Sequence, residues 1–285
     1  MFCGVITMAK RKRTESIEKK IKDGRGQGQG IDYKPWLKIQ DVSSLGRSTR
    51  LKGIKVPRQY EFLSDLERNY FYILEFSDYV VDIREQYPLN GEDTLIIAEE
   101  LSLDHPKHPK TQEPIIMTTD FIVTTQRNDQ ILHTARTLKY KNDLADKRVL
   151  EKFEIERRYW ERQGIDWGIV TEEEIPKNLA QNIALIHCYY ELKDIEGFQE
   201  LEEIEIIDMS IHMINLLLRE TLSLKEVFNQ VEEDFGLRIG MAFSLYKHLL
   251  IRKCIQVDLK EAIDIRKIVS ILAVVRDYSS KEDTM

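Results

Sequence analysis

The spacing of apolar residues changes from a mixed pattern to a mostly helical one near residue 172. Before that point, helix spacing predicts helices over residues 63–74, 94–103 and 146–163. β-branched and aromatic runs predict strands over residues 79–87, 115–125, 131–140 and 167–171. The polar turn at residues 127–129 predicts that the second and third of these strands form a hairpin.

After residue 175 the pattern predicts helices over residues 178–190, 208–219, 224–235 and 240–253, followed by a strand at 254–259. Ser223 is a plausible N-cap for the third helix, and Gly236 is placed to end it. This outline is typical of a helix-turn-helix with a wing-like extension. Modules of this shape bind DNA or protein, and the pattern leaves both open.

The amino-terminal part is polar, and we expect its basic residues 45–60 to be irregular. Residues 9–23 predict a short charged helix, and glycines at alternate positions from 24 to 30 break it. We interpret residues 24–30 as a flexible arm, with backbone contacts to phosphate as the alternative. Three regions follow: a basic arm and lead-in at residues 1–60, an α/β core at 61–172, and a winged-helix-like domain at 173–285.

Composition indicates a folded, water-soluble protein. Of 285 residues, 42% are hydrophobic and 32% charged, enough apolar side chains for a buried core. The longest nearly apolar stretch, residues 268–275, falls well short of the ~20 residues that span a bilayer. Three scattered cysteines without a C-x-x-C motif argue against a disulfide framework or a thiolate zinc site. We expect a cytoplasmic protein with no membrane partner.

The net charge of −7 hides an asymmetry. Residues 1–60 hold 15 Lys and Arg against 5 Asp and Glu, whereas residues 171–240 hold 5 against 16. A basic end on an acidic body suggests contact with a polyanion such as DNA, although a solubilising tail gives the same pattern. The candidate DNA contacts are Lys10, Arg11, Lys12, Arg13 and Arg25.

The candidate chemistry lies in the α/β region. Glu67 falls on a predicted helix, Asp120 beside an apolar strand, and Lys139 on the next strand. A carboxylate beside buried apolar residues is costly unless it is paired or metal-bound. Two carboxylates with a nearby lysine fit metal-dependent phosphodiester hydrolysis, in which one or two Mg²⁺ ions activate water. This order of residues also arises often by chance.

Several motifs add a resemblance. They are S-D-L-E at residues 64–67, D-I-R-E-Q-Y-P-L at 82–89, T-D-F at 119–121, L-E-K at 150–152, E-R-R-Y-W at 156–160 and G-R-G-Q-G at 24–28. Taken in chain order, they resemble the TnsA family, the endonuclease subunits of Tn7-type heteromeric transposases. The resemblance implies an α/β fold with a restriction-endonuclease-like PD-(D/E)xK core and a winged-helix carboxy-terminal domain.

By position, the resemblance makes Glu67 and Asp120 metal-binding carboxylates and Lys139 the active-site lysine, with two Mg²⁺ ions. Glu156 matches a family glutamate near the site. The family usually has Glu or Gln two residues before the lysine, where this chain has Thr137. A hydroxyl binds Mg²⁺ poorly, so the Leu138 carbonyl or water is the expected substitute. Lys141 is the alternative lysine, because a strand places it on the same face as Lys139.

The resemblance implies a Mg²⁺-dependent DNA endonuclease that cuts the 5′ ends of a transposon during excision. Its implied partners are DNA, a DDE-type transposase subunit that cuts the 3′ ends, and an AAA+ ATPase regulator. A stand-alone restriction or repair nuclease with the same core is one alternative. A non-catalytic winged-helix DNA-binding regulator is the other.

Overall fold

The computed structural model describes residues 16–42 and 47–275, which divide into two compact units. The first unit comprises the chain up to Arg68 together with Tyr79–Thr171, and the second comprises Asn69–Asp78 and the chain from Glu172 onward. The candidate DNA contacts Lys10, Arg11, Lys12 and Arg13 lie outside the described residues. In the described ranges, no helix is long and apolar enough to cross a membrane.

The first unit is a mixed α/β structure, which confirms the predicted class. Its helices and strands are, in chain order, α1 (Ile17–Lys22), β1 (Thr49–Lys52), β2 (Gln59–Phe62), α2 (Asp65–Phe76), β3 (Val80–Pro88), α3 (Gly91–Glu100), β4 (Thr118–Arg127), β5 (Gln130–Leu138), α4 (Lys147–Arg162) and β6 (Asp166–Val170). Helix α2 begins in this unit, and its residues after Arg68 belong to the second one.

A mixed sheet in the order β3-β4-β5-β6 forms the centre of the first unit. Strands β3, β4 and β5 pair antiparallel, whereas β5 and β6 pair parallel. The predicted hairpin between β4 and β5 is confirmed, with Asn128 and Asp129 at positive φ (47° and 62°) in its turn. A parallel pair needs a crossover connection, and α4 provides it between β5 and β6.

The core of this unit lies between the sheet and helices α3 and α4. Ile97 of α3, Ile122 of β4, Ala135 of β5 and Ile155 of α4 are at most 2% exposed and belong to one apolar cluster. Asp146 caps α4 by accepting a hydrogen bond from the Arg148 N–H. The packing of α4 under β4 and β5 brings its buried polar residue, Glu156, beneath the same two strands.

Two predictions for the amino-terminal region are wrong. Residues 45–60 were expected to be irregular, but β1 and β2 pair antiparallel across Thr49 and Phe62. Residues 24–30 were expected to form a flexible arm, but the Gly26 N–H donates to the Lys34 carbonyl at 2.6 Å. Arg25 is 4% exposed, pairs with Asp41 and donates to the Trp36 carbonyl at 3.3 Å. Arg25 is thus buried and paired, and its contact with DNA stays a prediction.

The second unit is mostly helical, as predicted. It contains α5 (Lys177–Ile186), α6 (Glu203–Leu217), α7 (Leu224–Phe235), α8 (Met241–Ile251), β7 (Ile255–Gln256) and β8 (Ala273–Val274). The predicted caps of α7 are confirmed, since Ser223 forms a capping box with Glu226 and Gly236 ends the helix at φ 63°. Strands β7 and β8 pair antiparallel, with Ile255 opposite Val274.

Candidate active site

Glu67 lies in the first turn of α2, where the sequence itself fixes its carboxylate. Oε1 accepts a hydrogen bond from the Ser64 hydroxyl at 2.8 Å, and Oε2 accepts one from the Leu63 N–H at 3.0 Å. Ser64 Oγ in turn accepts from the Glu67 N–H at 3.2 Å. This S-x-x-E exchange resembles a capping box, and it holds a side chain that is 7% exposed.

Asp120 lies on β4, and backbone and side-chain donors from its two neighbouring strands hold its carboxylate. Oδ2 accepts from the Leu138 N–H of β5 at 2.7 Å. Oδ1 accepts from the Gln86 amide of β3 at 3.2 Å. The register of β3 and β4 pairs Glu85 with Phe121 and Tyr87 with Thr119, so Gln86 lies opposite Asp120.

Gln86 joins the two carboxylates, and no motif in the sequence points to it as a site residue. Its Nε2 donates to Glu67 Oε2 at 3.3 Å and to Asp120 Oδ1 at 3.2 Å. The side chain is 2% exposed, and the backbone has a φ of 50°. The sequence offers one signal for it, because residues 84–86 are three consecutive polar residues inside the strand predicted over 79–87; their burial is visible only in the structure.

Burial changes the protonation of both carboxylates. Burial, and secondly the negative charge of Asp120, raise the pKa of Glu67. Burial also raises the pKa of Asp120, while the Leu138 N–H, the Gln86 amide and the charge of Lys139 act in the opposite direction. Two buried, adjacent carboxylates are unfavourable when both are ionised, and a bound cation would relieve this.

These oxygen donors fit a hard divalent cation such as Mg²⁺. In the described part of the chain, no group of three or more His, Cys, Asp or Glu side chains could hold a metal. A cation held by Glu67 and Asp120 would therefore complete its shell with other oxygens. Mg²⁺ commonly binds in this way, through one or two carboxylates and several waters.

The two candidate lysines lie in different surroundings. Strand β5 ends at Leu138, so the expectation that both lysines share a strand face is wrong. Lys139 follows directly, its N–H donates to the Val170 carbonyl at 3.1 Å, and its charge lowers the pKa of Asp120. Lys139 Nζ lies 3.3 Å from Asp143 Oδ2. Lys141 begins the 3₁₀ segment Lys141–Ala145.

Glu156 on α4 is buried under the strands that carry Asp120 and Leu138. Its Oε1 accepts from the Thr119 hydroxyl at 2.5 Å, from the Thr137 hydroxyl and from the Trp167 indole N–H at 3.1 Å. It is 3% exposed, and burial raises its pKa to about 7. The Thr137 hydroxyl, at the position where the resemblance expects a metal ligand, donates to Glu156.

Comparisons with known proteins agree with the resemblance in the sequence. The family model described as TnsA-like endonuclease N terminal matches residues 77–172, and the model described as TnsA endonuclease C terminal matches residues 174–259. The transposon Tn7 transposition protein TnsA of Escherichia coli is 34% identical over 266 residues, which cover 88% of this chain and 94% of that protein. Asp120, Lys139 and Glu156 lie within the first match, and Glu67 precedes it.

Proposed function

This chain belongs to the TnsA family of transposase endonuclease subunits, and on that premise we propose that it cuts the 5′ ends of a mobile DNA element with Mg²⁺ as cofactor. The observation that supports the site is the convergence of Glu67 and Asp120 on the Gln86 amide. Side chains from a helix and two strands thus meet at one point, although they are far apart in sequence.

The reaction proposed is hydrolysis of a phosphodiester bond by water. Mg²⁺ bound by Glu67 and Asp120 would supply the positive charge that activates the water and stabilises the leaving oxygen. The chain's own residues prepare this site: the Leu138 N–H and the Gln86 amide hold the Asp120 carboxylate in one orientation. The Leu138 carbonyl remains a candidate for a further oxygen ligand.

Lys139 has the proposed role of stabilising negative charge on the attacked phosphate. Its backbone is fixed by the bond to Val170, and its side chain, which pairs with Asp143, is 35% exposed. A positive charge beside the attacked phosphate stabilises the negative charge that develops in the transition state. It therefore raises the cleavage rate more than it strengthens DNA binding. We propose that Lys139, rather than Lys141, has this role.

Glu156 is proposed to position the site. Thr119 precedes Asp120 and Thr137 precedes Leu138, so one Glu156 oxygen holds both strands next to the residues that meet at the site. Neither threonine hydroxyl is then directed to a cation. We infer that Glu156 acts through the strands and does not touch the DNA.

We further propose that the first unit has a restriction-endonuclease-like PD-(D/E)xK core and that the second contains a winged-helix domain. The order of elements, three helices (α6, α7 and α8) followed by the β7–β8 pair, supports the winged-helix assignment. The proposed partners are DNA, a DDE-type transposase subunit that cuts the 3′ ends, and an AAA+ ATPase regulator. Lys10, Arg11, Lys12 and Arg13 are proposed to contact DNA phosphates.

Strand-by-strand mapping of excision from a mini-element tests the function. With Mg²⁺ and the partner transposase, the wild-type chain should cut the 5′ ends, and Asp120→Ala should lose these cuts while 3′ cuts remain. Asp129→Asn, an exposed change in the β4–β5 turn, is the matched control and should cut normally.

Three other results would each contradict the proposal. Cutting by the chain alone, without partners, would favour a stand-alone nuclease. Loss of both 5′ and 3′ cuts in a folded Asp120→Ala chain would indicate a role in assembly. Binding to DNA without cleavage under any condition would favour a regulator.

A further inference from the structure

We propose that Gln86 is an oxygen ligand of the cation held by Glu67 and Asp120, and that its amide rotates by half a turn when the cation binds. This inference rests on the proposed function, because it concerns the same metal site. It adds a ligand that neither the spacing of the acidic residues nor the motif before Lys139 predicts.

The backbone holds Gln86 at the site in an unusual conformation. A φ of 50° is uncommon for a residue other than glycine and costs free energy, so surrounding contacts must maintain it. The Gln86 carbonyl accepts from the Trp36 N–H at 3.1 Å. The preceding Glu85 is 0% exposed and accepts from Arg58 at 3.0 Å. These contacts fix the backbone position from which the Gln86 side chain extends.

In the structure the amide nitrogen faces both carboxylates. Nε2 can donate two hydrogens, and it directs them to Glu67 and Asp120 at 3.3 and 3.2 Å. In this orientation the amide partly offsets the negative charge of the two acceptor groups. A cation between the carboxylates would instead be repelled by the N–H groups. Rotation about the last side-chain bond exchanges Nε2 for Oε1, and this torsion is broad and nearly two-fold.

Thr118 makes both orientations possible. Its hydroxyl donates to Gln86 Oε1 at 3.4 Å. A hydroxyl can also accept, so after rotation Thr118 can accept from Nε2. The amide therefore keeps Thr118 as a partner on the side away from the carboxylates in either orientation.

Few other side chains can supply an oxygen to this cation. Thr137 occupies the position where the resemblance expects Glu or Gln, but its hydroxyl is directed to Glu156. No third His, Cys, Asp or Glu joins Glu67 and Asp120 in the described chain. A neutral amide oxygen is a hard ligand of the type that Mg²⁺ and Mn²⁺ accept. Gln86 is already within hydrogen-bond distance of both carboxylates.

Mn²⁺ binding to the full chain, measured by electron paramagnetic resonance, tests the proposal with two substitutions. Gln86→Met has a similar length and no oxygen, and it should weaken Mn²⁺ binding by at least about tenfold. Gln86→Glu has the oxygens but no N–H donor, and it should bind at least as tightly as wild type. Gln112→Met is the matched control, because Gln112 is an exposed glutamine at φ 59°, and it should bind normally.

A purely organising role would give a different pattern. If the amide only held the carboxylates through its N–H groups, Gln86→Glu would bind as weakly as Gln86→Met, and this would overturn the proposal. Unchanged binding by Gln86→Met would also overturn it.

A second measurement uses the wild-type protein with ¹⁵N-labelled glutamine side chains. Mg²⁺ should shift one pair of amide signals that Mn²⁺ broadens, and absence of such a pair would overturn the proposal. These readouts do not depend on cleavage. A chain that binds Mn²⁺ through Gln86 and cuts no DNA would refute the proposed function while supporting this inference.

Discussion

The backbone N–H of Leu138 donates a 2.7 Å hydrogen bond to Oδ2 of Asp120. This bond fixes the end of β5 against the carboxylate of β4, one residue before Lys139. The next amide along, that of Lys139, donates to Val170 of β6 on the other side. Lys139 therefore leaves the sheet at a defined point beside Asp120, whereas Lys141 begins a 3₁₀ segment.

This placement predicts different roles for the two lysines. Lys139→Ala should lower single-turnover cleavage by ~10²-fold or more at every salt concentration, because a charge directed at the transition state is lost. Lys141→Ala should give a small loss that low salt partly restores, as expected for a lysine that only attracts DNA. The reverse pattern of rates would identify Lys141 as the active-site lysine.

The ion pair of Arg58 and Glu85, next to Gln86, should be important for stability because it is buried. Arg58 Nη1 donates to Glu85 Oε1 at 3.0 Å, and both residues are at most 8% exposed. Removing one member leaves an unpaired buried charge, so Arg58→Met should lower the free energy of unfolding by about 3–5 kcal/mol. Urea denaturation followed by circular dichroism measures this.

An exposed pair of the same type provides the control. Arg158 and Glu161 are 46% and 52% exposed and lie 2.7 Å apart on α4. Arg158→Met should change the unfolding free energy by less than about 1 kcal/mol. If Arg58→Met and Arg158→Met lower the unfolding free energy equally, burial of the Arg58–Glu85 pair contributes nothing to stability.

Local signals made part of this fold predictable. Helix α7 was predicted over its observed residues because Ser223 and Gly236 mark its two ends within the sequence itself. The β1–β2 pair was missed because its strands have only four residues each, too few for the alternation of half-buried Thr49 and Leu51 with exposed Arg50 and Lys52 to stand out.

Only the two carboxylates of the site were predictable from the sequence. Glu67 and Asp120 stand out in the sequence, but the group that joins them depends on contacts between distant segments. The positive φ of Gln86 accompanies a bond to Trp36, 50 positions earlier in the numbering, and a cross-strand position opposite Asp120. Likewise, Thr137 donates to a glutamate 19 residues away, which motif spacing alone does not show.

The raised pKa values predict how stability depends on pH. A folded-state pKa above the unfolded value means that the folded protein holds the proton longer, so stability falls as pH rises through that window. For Asp120 the window begins near the ordinary carboxyl pKa of about 4 and extends upward. Without Mg²⁺, Asp120→Asn should be more stable than wild type at pH 8, by about 1–3 kcal/mol, and this difference should shrink toward pH 5.

Comparison of the two proteins is essential for this measurement. Burial lowers the pKa of His248 to about 4, which alone makes stability rise with pH between that value and the ordinary histidine pKa. His248 is common to both proteins, so their difference in unfolding free energy removes its contribution and leaves that of Asp120, including its effect on the pKa of Glu67. Saturating Mg²⁺ should stabilise wild type more than Asp120→Asn. A stability difference that is constant from pH 5 to pH 8 would contradict the prediction.

Glu156 provides the clearest distinction between a positioning residue and a catalytic one. Glu156→Gln keeps an oxygen that can accept from Thr119, Thr137 and Trp167, and it removes a buried charge whose pKa burial raises to about 7. A positioning role therefore predicts that Glu156→Gln retains its stability and cuts DNA within about tenfold of wild type. Glu156→Ala leaves three donors without their acceptor and creates a cavity, which should cost about 2–4 kcal/mol of stability.

The Mn²⁺ affinity of Glu156→Gln should be nearly that of wild type, since the carboxylates of Glu67 and Asp120 are intact. If Glu156→Gln instead folds normally but loses both Mn²⁺ binding and cleavage, Glu156 is itself a ligand, and the two threonines serve to orient its carboxylate toward the cation.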